Sequence, residues 1–183
     1  MRNCCTLIIW ITVVTMSLAL PSHSQVAPAA EGGGVGRIYI FGEFSASRPN
    51  YGDQFLYGPT IGGDFQLNRW IAAEARGSLL RWGPSPFHQD FALFGPRIQY
   101  PIRRLVPYGA FDVGVAHAVY PTSYTNGTLT SSDAFAWEII GGADYKLNHR
   151  WSLRLGEFSY GSIRVLNGLN PKTISSGVVF RLF

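Results

Sequence analysis

The residue types best suited to chemistry are the histidines past residue 24, His88, His117 and His149, with a Ser- and Asp-containing stretch following the second. A serine nucleophile needs an imidazole within hydrogen-bond reach and an acid that orients it. His88 falls in a loop and His149 in a turn. His117 falls near the outer end of a strand, and Ser123, Ser131, Ser132 and Asp133 come after it in a polar loop. No spacing in the chain links them to His117, and loops of this kind are rich in Ser and Thr because water solvates them. The chain therefore reads as having no catalytic residues. It has no His/Cys cluster and no Asp-rich calcium loop, so neither metal nor cofactor is expected. Gly32-Gly33-Gly34-Val35-Gly36 opens a strand and lacks the Lys-Ser/Thr of a phosphate loop.

The other chemically capable set is ionic. Glu43, Asp64, Glu74, Asp112, Glu138 and Asp144 share one strand face with Arg37, Arg76, Arg97, Lys146, Arg154 and Arg181, six acids against six bases. A solvent-facing sheet has no need of such a balance. A narrow interior does, because buried charges without partners are costly. These twelve residues are expected to form an ion-pair network inside a barrel.

The elements that must hold them are strands. Charged residues make up 14% of the 183, below the roughly 25% of soluble domains, and Lys146 and Lys172 are the only lysines. The net charge of +4 is scattered, with Arg103-Arg104 the one adjacent basic pair, so nucleic acid is not an expected partner. Residues 1–24 read as a cleaved signal peptide: Arg2, an apolar run from Leu7 to Leu20, Pro21, then Ser22-His23-Ser24 before the cut, with Ala27–Ala30 as a second possible site. Cys4 and Cys5 both lie in this segment. Residues 25–36 read as a flexible leader and residues 37–183 as one domain.

That domain has no apolar stretch long enough for a membrane-spanning helix. What recurs is period-two alternation over about ten residues, bounded by turn residues. The runs are Arg37–Ala46, Tyr57–Leu67, Trp70–Arg81, Asp90–Tyr100, Pro107–Ala118, Ala134–Leu147, a seventh from Trp151, and Thr173–Phe183. Longer connections follow runs one, three, five and seven, and Tyr120–Asp133 is the longest polar loop. Short turns follow runs two, four and six. This alternation fits an all-β, eight-stranded, antiparallel up-and-down transmembrane β-barrel with both termini in the periplasm. Ile61-Gly62-Gly63-Asp64-Phe65-Gln66-Leu67-Asn68-Arg69-Trp70 is echoed by Ile140-Gly141-Gly142-Ala143-Asp144-Tyr145-Lys146-Leu147-Asn148-His149-Arg150-Trp151, which puts Trp70 and Trp151 at one membrane interface. Tyr57, Trp70, Trp82, Tyr100, Tyr108, Tyr120, Phe135, Trp151 and Tyr160 are the expected interface aromatics.

The last run closes the barrel. Ile174, Ser176, Val178, Phe180 and Leu182 share the lipid face; Gly177 and Arg181 point inward. Gly177, Val178, Phe180, Leu182 and Phe183 are the expected assembly signal. Strict alternation leaves Phe183 in phase with Arg181, an overhang at the rim unless a bulge shifts the frame. Glu157 likewise falls on the outer parity of Leu155 unless the strand bends at Gly156.

The eight runs, the Gly-Gly-Asp-Phe/Tyr hairpins, Phe94-Gly95-Pro96-Arg97 and the Gly177-Val178-Val179-Phe180 ending together resemble the outer-membrane β-barrel family, of which the transmembrane domain of outer-membrane protein A is the best-known relative. The resemblance covers about Val35 to Phe183. It implies a monomer in the bacterial outer membrane, in contact with membrane lipid and lipopolysaccharide and handled by the barrel-assembly machinery. A peptidoglycan-binding domain, and with it cell-wall tethering, is not expected. The expected function is a structural or surface-interaction role with a largely occluded lumen. The alternatives are a narrow porin-like channel, a lipid-modifying barrel enzyme, and a soluble lipocalin-like carrier.

Overall fold

The computed structural model describes residues 36–49, 55–83, 87–121, 129–164 and 168–182. The signal segment, nearly all of the leader and Phe183 with its framing question lie outside these residues. Eight strands run in chain order: β1 (Arg37–Arg48), β2 (Leu56–Gln66), β3 (Ile71–Leu80), β4 (His88–Gln99), β5 (Leu105–Pro121), β6 (Leu129–Lys146), β7 (Trp151–Ile163) and β8 (Lys172–Arg181). Each pairs antiparallel with the next, and β8 returns to β1 through Tyr39↔Arg181 to Arg48↔Lys172, closing the barrel. Closure leaves no strand edge open.

The side chains alternate as the sequence pattern requires. Ile61, Phe94, Ile98, Val115 and Ile174 are each at least 60% exposed, while Glu43, Asp64, Arg97, Asp112 and Arg154, on the opposite parity, are buried. An apolar exterior around a charged interior is the inverse of a water-soluble carrier, and it suits a hydrocarbon surrounding.

Two short turns are built alike. Asn68 Oδ1 accepts from the backbone N–H of Trp70 and Ile71 at 2.7 and 2.8 Å. Asn148 Oδ1 accepts from Arg150 and Trp151 at 2.9 and 2.7 Å. The internal echo is therefore a gap-free offset in which Trp151 is equivalent to Ile71, not to Trp70, and Gly142 to Gly62. At both glycines an inward ring from the paired strand lies where a Cβ would be: Phe41 against Gly62, Tyr108 against Gly142. Glycine leaves the space that each ring fills.

The fifth connection is shorter than the sequence suggests. β5 and β6 stay paired to Pro121↔Leu129, so Ser131, Ser132 and Asp133 are strand residues and not loop residues. Polarity alone does not end a hairpin, because the backbone ladder continues as long as the register holds. At 17 and 18 residues these strands exceed the 9–11 or so that a tilted crossing needs, leaving surplus length at the long-loop end.

β7 is the irregular strand. Its register shifts against β6 between Ala143 and Asp144 and against β8 between Arg154 and Glu157. The shift absorbs one residue near Gly156 and turns Glu157 into the barrel.

Candidate functional site

The bore is filled in layers. At its middle, three guanidiniums hold a cage of carboxylates. Arg76 donates from Nε and Nη2 to Glu74 at 2.8 and 2.5 Å, and from Nη1 and Nη2 to Glu157 at 2.6 and 2.9 Å. Arg97 reaches Asp64 at 3.0 Å, Glu74 at 3.2 Å and Asp144 at 2.6 Å. Arg154 donates from Nε to Asp144 at 2.8 Å and from Nη1 to Glu157 at 3.2 Å and to Glu43. Arg97 and Arg154 are fully buried. Such groups tolerate burial only when paired and hydrogen-bonded, and the planar fork of Arg suits several carboxylates at once.

Aromatic rings seal the cage. The Arg97 guanidinium lies 3.6 Å from the Tyr108 ring centroid and that of Arg154 lies 4.4 Å from the Phe41 centroid, both within cation–π range. Tyr108 also donates its hydroxyl to Glu157 at 2.6 Å. Tyr108 is therefore not an interface aromatic. It sits on the inward parity of Ala110 and Asp112, and burial of its ring is possible because its polar tip finds a carboxylate.

The expected balance of six acids and six bases is not what the bore contains. Among the described residues, seven carboxyl groups are buried there, Glu43, Asp64, Glu74, Asp112, Glu138, Asp144 and Glu157, against Arg76, Arg97 and Arg154. Arg37 and Lys146 are exposed and Arg181 is half-buried. They stand at strand ends β1, β6 and β8 on the short-turn side, where a long cationic side chain can reach water. Arg37, Lys146 and Arg69 line a cleft of about 340 Å³ at that mouth. It leads to a space of about 40 Å³ at Asp64, Arg97 and Asp144.

Toward the long-loop end the charges give way to a hydroxyl belt. Ser45 bonds Thr60 at 2.7 Å and Ser175 at 2.8 Å, Thr60 bonds Ser78 at 2.9 Å, and Thr173 bonds Ser47 at 2.9 Å. Beyond it lies an apolar cluster that includes Leu56, Leu80, Phe91, Leu93, Ile163 and Leu169. Alternation marks these as inward positions, but period two alone does not say at which height a strand changes from charged to apolar.

On the exterior, Trp70 stacks on Tyr100 at 5.0 Å and Trp151 lies 4.7 Å from Phe180, on the short-turn side. Near the other end Phe44 stacks with Tyr57 at 6.3 Å and with Trp82 at 6.1 Å. Tyr160 meets Trp137 edge-on at 6.2 Å, and Phe135 is exposed. The side chain of Tyr120 lies outside the described set. On β8, Val178 and Leu182 are exposed, Phe180 faces outward beside Trp151, and Gly177 pairs with Glu43 on the inner face.

One cluster that the sequence leaves unconnected is assembled by the β5–β6 register. His117 pairs with Asp133 and Val119 with Ser131. His117 Nδ1 lies 2.5 Å from Asp133 Oδ1, and Ser131 Oγ lies 3.3 Å from His117 Nε2. The signal in the sequence is the parity of Ser131 and Asp133 with Phe135, which the polar, Ser/Thr-rich character of the segment obscures.

The model of the outer membrane protein beta-barrel domain matches residues 11–181. No curated relative matches the chain. Among solved structures, the N-terminal β-barrel domain of Pseudomonas aeruginosa OprF is similar with a TM-score of 0.56 at 15% identity, over 82% of this chain and 100% of that one. Neisserial surface protein A gives 0.61 at 13% identity, over 82% and 99%. Ail, the attachment invasion locus protein of Yersinia pestis, gives 0.52 at 14%, over 81% and 99%. At these identities the likeness is one of fold. With an apolar exterior, a closed eight-strand sheet and a family match over most of its length, the chain belongs to the outer-membrane protein β-barrel family and is a protein of the bacterial outer membrane.

Proposed function

We propose that this protein is a structural or surface-interaction barrel whose lumen is occluded, with its short-turn end and both strand termini in the periplasm. The observation that carries this reading is the cage of Arg76, Arg97 and Arg154, which ties carboxylates from β1, β2, β3, β6 and β7 together across the bore. The space beside it, about 40 Å³, has room for a water molecule or so and not for a hydrated solute. The apolar cluster beyond the hydroxyl belt supplies a second obstruction. With a filled interior, exchange with other molecules falls to the exterior and the two ends. Membrane lipid and lipopolysaccharide are the partners that the apolar band and its aromatics favour, with the assembly machinery acting during biogenesis and the folded protein a monomer.

Cleavage after Ser24 and a short leader before β1 complete the proposed mature chain. Planar-bilayer recording with the refolded barrel tests occlusion: the expected trace lacks large, stable conductance steps, and such steps would overturn the reading. Cell fractionation with heat-modifiable gel migration tests insertion, and protease accessibility in intact cells tests the orientation.

A further inference from the structure

Ser131, His117 and Asp133 are arranged on the outer wall of the barrel as a nucleophile, a base and an orienting acid. Asp133 takes the Nδ1 side of the imidazole at 2.5 Å, which leaves Nε2 facing the Ser131 hydroxyl at 3.3 Å. This division of the two ring nitrogens is the one that a serine hydrolase relay needs, since the acid fixes the tautomer and the free nitrogen takes the hydroxyl proton. Rigid elements set the geometry: all three residues are on paired strands, with His117 directly opposite Asp133 and Ser131 two residues beyond. The His88 ring packs on the other side of His117 at 5.8 Å, and Asp90, the partner of His117 on β4, is held by Arg81.

The location points to a substrate class. On these same strands and the same face, Val115 and Phe135 are exposed one step toward the short-turn side, with Phe111 and Ile139 further along. The relay thus stands at the rim of the apolar band. There an amphiphile with its chain along Val115 and Phe135 presents the bond between chain and head group.

We propose that Ser131, His117 and Asp133 form a hydrolytic site for an acyl ester of a membrane lipid at the outer rim of the barrel. The Ser131 Oγ–acyl carbon bond forms as the ester carbon–oxygen bond breaks. The serine proton passes to His117 Nε2 and from there to the departing alcohol. Water then attacks the acyl-serine, its proton returning through His117 to Ser131 Oγ as the carboxylic acid leaves. The activity is additional to the structural reading of the lumen, and either can fail without the other.

The test uses the full barrel, refolded in detergent micelles and labelled with an alkyl fluorophosphonate, with peptide mass spectrometry to place the adduct. The expected result is an adduct on Ser131 that is absent in S131A and forms about 10²-fold more slowly in H117Q and D133N. Heat-modifiable migration shows that these exterior variants are folded. No adduct on Ser131, or an equal rate in folded H117Q, overturns the relay. Reconstitution in phosphatidylethanolamine vesicles then tests the substrate: free fatty acid released by the native barrel and not by S131A supports the lipid assignment, and no release overturns it.

Discussion

The phenol of Tyr108 donates to Glu157 Oε2 at 2.6 Å, deep in the bore, although Tyr108 reads as an interface aromatic and Glu157 falls on the outer parity unless the strand bends at Gly156. Glu157 is the hub of the cage, since it also receives Arg76 and Arg154. Y108F keeps the ring over Gly142 and removes a single donor. It is expected to cost about 1.5–3 kcal/mol, the range for a hydrogen bond to a charged group, since Oε2 keeps Arg76 and Arg154 as donors. Urea unfolding of the micelle-refolded barrel measures this, and an unchanged midpoint would show that the bond contributes nothing.

Removing Arg154 has a larger effect. Its guanidinium holds Asp144, Glu43 and Glu157, and among these Glu43 Oε2 already lacks a hydrogen-bond partner. R154A is expected to lose about 3–5 kcal/mol, as when one side of a buried ion pair is deleted. R154K should recover only part, since an ammonium cannot reproduce the fork. The same urea titration separates the three proteins.

The closing seam offers a sharp steric contrast. A Cβ on Gly177 would stand 2.1 Å from the Gly42 carbonyl oxygen, a backbone atom that cannot swing aside. A Cβ on Gly141 meets no atom within 4 Å. G177A is expected to abolish heat-modifiable folding or shift its yield severely, while G141A folds as the native chain does. Equal yields would mean that the β1–β8 seam relaxes more easily than its geometry implies.

The two Asn-built turns give a test of equivalence. N68A and N148A each remove an acceptor from two backbone N–H groups. Each is expected to cost about 1 kcal/mol, as for loss of a helix cap, and the double variant should show the sum because the turns are remote from one another. A strongly non-additive result would tie the two turns to one cooperative step.

Strand number, order and the sidedness of most residues were legible because a closed barrel with an apolar exterior imposes period two on every strand. For Glu157 the sequence leaves two sides open, outward by strict parity or inward with a bend at Gly156, and the one-residue register shift there selects the inward one. Tyr108 carries two opposing signals. Its parity, shared with Ala110 and Asp112, points inward, while an aromatic near a strand end also has the character of a girdle residue. Arg37, Lys146 and Arg181 have the inward parity of the cage, but parity carries no height, and height decides whether a base meets a carboxylate or water. Ser131 and Asp133 reached His117 only through a β5–β6 register that extends past the apolar segment, where hydrophobic alternation no longer marks a strand.

The gap-free echo between the two Asn turns has a geometric consequence. β1 and β5 are four strands apart in a closed sheet of eight, so they lie on opposite walls, as do β3 and β7. Phe41 over Gly62 and Tyr108 over Gly142 therefore face one another across the bore. The repeat extends to the two rings and not to the charges: Arg76, opposite Gly62, corresponds to Glu157, opposite Gly142, and Glu74, opposite Asp64, corresponds to Arg154, opposite Asp144. Obstruction of the bore is thus duplicated: trimming either ring hollows out one wall and leaves the opposite half of the stopper standing.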